Sequence, residues 1–325
     1  MRVARSDVPD DAGASWFAAM ARGDFPAAWQ VSDHVLATRD PAEQDDPTQP
    51  YHLRWVWDGT PVDGRDVLVR CYHGLGDTVQ FCRYLPALRA RATRVTLEVQ
   101  AELLPLMELI GAADRIVPFD QVSPCPPLPG RGIALEIMEL AHALRIAPQP
   151  LPYLPIMRAR RPGPIRAKPA RIPGPIRAGL CWQARAGWRP ERSMPEALVA
   201  TLAMEGLALQ SLQLGITPRS MAPCPVAVLD TARVIAGLDV VITVDTMVAH
   251  LAGAIGVPVW LMLDTVTDWR WIAGTDENSR GSPWYRGVRK YWQREPGAWQ
   301  DPVMELVSDL TRWVGAGSVD FRIGS

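Results

Sequence analysis

Short apolar runs recur along this chain, each followed by a stretch with helical spacing, and that alternation narrows the folds open to it. The run at 67–72 is followed by a glycine turn and a helical pattern over 77–91. The run at 95–99 is followed by a helical stretch at 101–110, and short strands are expected at 115–118 and 132–137. The pattern then pauses and restarts, with strands expected at 177–182, 208–213, 240–244 and 258–262. Helices are expected near 195–205, 231–238 and 247–255, and a long helix near 300–314. Apolar runs alternating with helices predict parallel sheets covered on both faces. Two such series predict an α/β protein of two Rossmann-like domains facing across a cleft.

Length and composition agree with that division. The 325 residues suit two domains. The spacing of 14–38 predicts two short helices around the turn Arg22-Gly23-Asp24-Phe25, read as one residual helical repeat. Residues 158–177 hold five prolines, seven basic residues and no acid, a linker composition. The expected organisation is therefore a helical segment at 1–50, an acceptor-side domain at 51–157, the linker at 158–177 and a nucleotide-sugar domain at 178–325.

The formal charge of −1 disfavours a general nucleic-acid binder. No apolar run approaches the roughly 18 residues of a spanning helix, so a cytoplasmic protein without a transmembrane segment is expected. The cysteines at 71, 82, 125, 181 and 224 have neither disulfide nor zinc spacing and read as buried thiols of a reducing compartment. Of the 34 basic residues all but Lys168 and Lys290 are Arg, an excess ascribed mainly to a GC-rich genome.

Two strand ends carry residues suited to anion chemistry. His73-Gly74-Leu75-Gly76-Asp77-Thr78 follows the first strand and opens a helix. Glycines there allow a tight turn and close approach of backbone to ligand, and the helix N-terminus favours negative charge. Asp77 is placed either to cap that helix or to act on a ligand. Asp245-Thr246-Met247 joins the run ending at Val244 to another helix. Thr246 offers a hydroxyl and backbone N–H groups, and His250 stands one turn further on, as a ligand or as a structural residue. Arg185, Arg189 and Arg192 follow the strand ending near Trp182-Gln183, either as a diphosphate clamp or as exposed loop arginines. Trp260, Trp269, Trp271, Trp284, Trp292 and Trp299 read mostly as core. Walker A, HExxH, GxSxG and metal-spaced His/Cys patterns are absent from the sequence, and no DxD pair marks a strand end.

Taken in order, Trp57-Asp58-Gly59, Gly74-Leu75-Gly76-Asp77-Thr78-Val79-Gln80-Phe81-Cys82-Arg83-Tyr84-Leu85-Pro86, Val244-Asp245-Thr246 with Ala249-His250-Leu251-Ala252-Gly253, Asp268-Trp269-Arg270-Trp271 and Ser282-Pro283-Trp284-Tyr285 resemble one family. It comprises tetratricopeptide-associated glycosyltransferases related to the ADP-heptose:lipopolysaccharide heptosyltransferases of glycosyltransferase family nine. The likeness spans roughly residues 55–313. It implies a GT-B fold and an inverting transfer of sugar from a nucleotide-diphosphate donor to an acceptor hydroxyl, without metal or other cofactor.

The resemblance also implies roles. Asp77 matches the catalytic base, while Asp245, Thr246, Met247 and His250 match the element that holds the donor diphosphate. Arg192 falls where a basic phosphate ligand stands. Gln213 at the end of the 208–213 strand, and Asp230 and Thr231 before the next helix, fall near the nucleotide. His73, Gly74, Gly76 and Gln183 line the acceptor side. Met247 stands where glycine is common in the heptosyltransferases, and Gln183-Ala184-Arg185 replaces a small turn. A nucleotide-sugar-binding protein without turnover, and an epimerase or hydrolase on the same fold, are the alternative readings. The acceptor is a glycan, a protein or a small metabolite.

Overall fold

The computed structural model describes residues 10–130, 132–158, 174–184, 189–215, 218, 221–272 and 281–316. The chain packs as two compact units, one ending at Gln149 and the other beginning at Pro150.

In the first unit, α1 (Asp10–Ala21) and α2 (Phe25–Thr38) form the expected helix pair. Asp24 caps α2 by accepting from the Ala27 N–H at 3.2 Å. The sheet follows with β1 (Asp66–Arg70), α3 (Leu75–Phe81), α4 (Leu85–Arg91), β2 (Arg94–Val99), α5 (Leu104–Ile110), β3 (Arg115–Pro118), β4 (Ile133–Glu136) and α6 (Leu140–Leu144). All strands are parallel, in the order β3-β2-β1-β4. The helix expected over 77–91 is broken into α3 and α4 by a 3-10 turn at Cys82–Tyr84. Pro86, in the first turn of α4, has no N–H with which to continue the ladder.

The second unit contains β5 (Ile176–Cys181), α7 (Glu196–Val199), β6 (Leu207–Ser211), α8 (Val228–Ala236), β7 (Val240–Val244), α9 (Met247–Ile255), β8 (Val259–Leu263), α10 (Trp269–Ile272), β9 (Val288–Trp292) and α11 (Gln300–Ala316). Its sheet is again parallel, in the order β6-β5-β7-β8-β9. Every residue of β7 and β8 is buried, as expected of central strands covered on both faces. Edge strand β9 is not predicted from the sequence, because Arg289 and Lys290 interrupt its apolar pattern. Pairing with β8 supplies what the pattern lacks.

Of the expected linker, 159–173 lie outside the described residues, and Ile176 and Arg177 already belong to β5. The segment after Pro150 joins the second unit: the Tyr153 and Leu154 N–H groups donate to the Ala254 carbonyl at 2.9 and 3.1 Å. Gly256 ends α9 at φ +84°, where a Cβ would also lie 2.6 Å from Pro152. Trp182, Trp260 and Trp299 belong to the core of this unit, with Trp271 and Trp284 also at most 2% exposed. Cys71, Cys82 and Cys181 are buried, whereas Cys125 and Cys224 are half-buried, so the expectation of five buried thiols is corrected for two. Among the described residues no helix is long and apolar enough to cross a membrane.

Candidate functional site

Strand order identifies one place in each sheet where a ligand is expected. In the second unit the chain leaves β5 to build β6 on one side, then returns to build β7, β8 and β9 on the other. The carboxyl ends of β5 and β7 are therefore a topological switch point, where the connecting segments diverge and open a crevice. Cys181 at the end of β5 and Thr246 after β7 meet there, with Sγ and Oγ1 3.7 Å apart. Burial pushes the Cys181 thiol up to about 11, so it stands as a neutral thiol. Gln213 ties β6 to the same place, its Oε1 accepting from the Gln183 N–H at 2.9 Å.

Thr246 is the N-cap of α9, its Oγ1 accepting from the Val248 N–H at 3.3 Å. The Ala249 N–H turns back to the Thr246 carbonyl at 3.0 Å, while the Met247 N–H, at the first helical position, has no preceding turn to bond, and such a helix N-terminus favours an anion. Arg192, in the 3-10 turn Pro190–Arg192, reaches the same place. It donates through Nη2 alone, to the Asp245 carbonyl at 2.5 Å and to Asp245 Oδ2 at 2.9 Å. Its Nε and Nη1 make no hydrogen bond among the described residues. Among the described residues, one edge of a planar fork suited to bidentate anion contact is thus left open. Asp245 Oδ1 accepts from the Trp271 indole N–H at 2.9 Å. Burial raises the Asp245 carboxyl above the usual range, against the opposing pull of Arg192.

His250 does not stand at the surface. It is 4% exposed, with Nδ1 2.9 Å from the Tyr285 hydroxyl and its ring stacked on Trp271 at 5.3 Å. Met247, the first residue of α9, is half-buried. Of the three arginines weighed as a clamp, Arg185 lies outside the described residues. Arg189 is committed to the Asp264 carboxylate and the Val266 carbonyl, whereas Arg192 meets Asp245. Asp230 and Thr231 do not precede a helix; they lie within α8, which begins at Val228. The helix starts at Val228, directly after Pro225-Val226-Ala227 and earlier than its apolar spacing suggests. Asp230 pairs with Arg233 at 2.8 Å, and the Thr231 hydroxyl donates to the Pro225 and Ala227 carbonyls.

In the first unit the switch point lies between β1 and β4. His73 and Gly74 follow β1, with Gly76 and Asp77 in the first turn of α3. Asp77 Oδ2 accepts from the Gly74 N–H at 2.9 Å, so the capping arrangement is present. His73 Nδ1 lies 3.1 Å from Oε1 of Glu136, the last residue of β4. Beside them Arg70 and Glu98, register partners at the ends of β1 and β2, pair at 2.7 Å while almost fully buried.

The architecture is mixed α/β on parallel sheets. No family model matches the chain, and no curated protein matches its sequence. Among solved structures, the chain is similar to a dodecameric iron-containing glycosyltransferase, TibC, from enterotoxigenic E. coli. That match has 13% identity and a TM-score of 0.43, covers 62% of this chain, and spans 59% of TibC's own length. A glycosyl transferase family 9 protein from Veillonella parvula aligns at 12% identity over 72% of this chain and 87% of its own, with a TM-score of 0.47. The E. coli heptosyltransferase WaaC with ADP aligns at 14% identity over 78% and 99%, with a TM-score of 0.48.

Glu136, Trp271 and Tyr285 were not singled out as site residues from the sequence. Glu136 follows a short run of ordinary apolar pattern, and only strand order sets it beside His73. Trp271 and Tyr285 sit in aromatic-rich segments whose default reading is core. Among the described residues no group of three or more His, Cys, Asp or Glu side chains is placed to hold a metal ion.

Proposed function

We propose that this protein is an inverting, metal-independent glycosyltransferase that uses a nucleotide-diphosphate sugar, with heptosyl or hexosyl transfer to an acceptor hydroxyl. The observation that carries this reading is the open edge of Arg192 beside the N-terminus of α9, at the switch point of the second sheet. Two donors of a fixed fork and a helix N-terminus suit a diphosphate, and no carboxylate cluster for a bridging cation is needed. In this reading Gln213 belongs to the nucleotide side and Gln183, whose N–H donates to it, to the acceptor side.

In the reaction the acceptor oxygen attacks the anomeric carbon from the face opposite the diphosphate. The carbon–oxygen bond to phosphate breaks, the configuration inverts, and the electron pair leaves on the nucleoside diphosphate. Arg192, Thr246 and the α9 N-terminus stabilise that leaving charge. Asp77 takes the hydroxyl proton. Help of this kind is worth roughly 10²–10⁴-fold. His73, Gly74 and Gly76 belong to the acceptor side.

The test is calorimetric titration of the full chain with ADP, UDP and GDP. One of them binds at micromolar concentration, and Arg192→Ala weakens it at least tenfold. Absence of binding by all three sinks the reading. With donor and acceptor in hand, Asp77→Asn loses turnover by at least 10²-fold, and undiminished turnover removes Asp77 as base. A second reading, a nucleotide-sugar-binding protein without turnover, rests on Met247, whose side chain occupies the first turn of α9. Donor binding with no release of nucleoside diphosphate against any acceptor would favour it.

A further inference from the structure

Trp271 is held at both ends. Its carbonyl accepts from the Lys290 ammonium at 2.8 Å, and its indole N–H donates to Asp245 Oδ1 at 2.9 Å. Both residues are fully buried. A tryptophan that merely fills a core does not need its N–H directed at a carboxylate. Trp182, Trp260 and Trp299 make that comparison within the same unit: each is buried, and each indole nitrogen lacks a hydrogen-bond partner among the described residues.

The bond to Trp271 occupies one oxygen of Asp245. The other oxygen and the main-chain carbonyl are then left to Arg192, both reached through Nη2. A carboxylate free to rotate about its Cβ–Cγ bond would offer Arg192 several geometries. One pinned by an indole offers a single geometry, and the open Nε–Nη1 edge takes a single direction. Lys290 holds the other end of the same chain of contacts. A buried ammonium is costly, and its presence on β9 at the end of α10 is accounted for by the carbonyl it supports.

We propose that Trp271 is a positioning residue of the anion site: acting through Asp245, and anchored by Lys290, it sets the direction in which Arg192 presents its open edge to phosphate. This rests on the diphosphate reading of the preceding subsection for its ligand, although the chain of contacts is independent of it.

The test uses the full chain with uniform ¹⁵N labelling and inorganic pyrophosphate as probe. Of the 13 tryptophans, the indole cross-peak that vanishes in Trp271→Phe is that of Trp271. This cross-peak shifts on adding pyrophosphate, and it shifts without ligand in Arg192→Ala and in Lys290→Met. By titration, Trp271→Phe weakens pyrophosphate about fivefold to tenfold, the worth of one ordinary hydrogen bond. It weakens binding no further in the Arg192→Ala background. A cross-peak unmoved by Arg192→Ala overturns the proposal, as does an equal loss of affinity in both backgrounds. If the wild type binds neither pyrophosphate nor any nucleoside diphosphate, the diphosphate reading fails. The response of the cross-peak to Arg192→Ala then still decides whether Trp271 positions Arg192.

Discussion

His73 and Glu136 meet across the switch point of the first sheet, with Nδ1 3.1 Å from Oε1. His73, in the turn that follows β1, thereby lies beside the last residue of β4. Glu136 also accepts from the Tyr72 N–H at 3.3 Å and the Met138 N–H at 2.6 Å, so one carboxylate secures the turn after each strand. Glu136→Ala leaves both N–H groups without an acceptor. It is expected to cost about 2–4 kcal/mol in denaturant unfolding, with Glu136→Gln costing less because an oxygen remains. Equal losses in the two variants would show that the N–H bonds are not what Glu136 contributes.

Arg70 and Glu98 form a pair in which neither side chain is more than 3% exposed. Removing one charge leaves the other buried; among the described residues Arg70 then keeps Asp45 at 3.5 Å and the Cys125 carbonyl at 3.1 Å. Glu98→Gln is therefore expected to lose about 3 kcal/mol. The double variant Arg70→Met, Glu98→Leu should lose less than the single one. Unfolding of wild type, Glu98→Gln and the double variant in urea measures this, and a double loss as large as the single loss would contradict it.

Burial pushes the Glu139 carboxyl from its ordinary 4.5 up to about 8, reinforced by neighbouring Glu136 and opposed by the N–H groups of Glu136 and Trp57. Between about pH 4.5 and 8 the folded chain thus holds a proton that the unfolded chain has released. The stability tied to this group is full at the acid end and falls as pH rises through that window, by up to about 1.4 kcal/mol per unit. Glu139→Gln lacks this slope. The difference between wild type and variant, measured by unfolding at pH 5.5, 7 and 8.5, should move in favour of the variant as pH rises.

Gly253 lies within α9, and a Cβ there would come 2.4 Å from the Tyr285 ring. Alanine normally gains about 1 kcal/mol over glycine inside a helix. Here the displaced ring is the one whose hydroxyl holds His250. Gly253→Ala is expected to lower stability by about 1–3 kcal/mol despite its helical preference, as overpacking does. Thermal unfolding checks the sign, and a stabilised variant would mean that Tyr285 gives way freely.

The proposed metal independence has a direct consequence for ligand binding. The affinity of the preferred nucleoside diphosphate should change less than twofold between excess EDTA and millimolar magnesium, measured at constant ionic strength. A tenfold gain with magnesium would assign the diphosphate charge to a cation instead of Arg192.

Much of the scaffold was legible because period and burial are local properties of sequence. The strands at 115–118 and 240–244 and the helix at 247–255 have the bounds their apolar spacing predicts. A buried run such as Val240–Val244 has few ways to satisfy both its backbone and its side chains outside a central strand. Boundaries slipped where local chemistry competes with period, as at Pro86 and at the start of α8. Edge strand β9 escaped because its two cations mask the pattern, and pairing with β8 is a long-range fact.

The candidate residues divide in the same way. Thr246 as a helix cap and Asp77 in a first turn could be read from residue type and position, since a cap is settled within four residues. That Arg192 finds Asp245, that Trp271 occupies the other oxygen of that carboxylate, and that His250 lies beneath the site follow from no spacing. These partners are 53, 26 and 35 residues apart for Arg192–Asp245, Asp245–Trp271 and His250–Tyr285. Strand order brings them together, because a parallel sheet delivers the carboxyl ends of distant strands to one edge. A carboxylate has two oxygens to divide between neighbours, and sequence alone does not say which neighbours those will be.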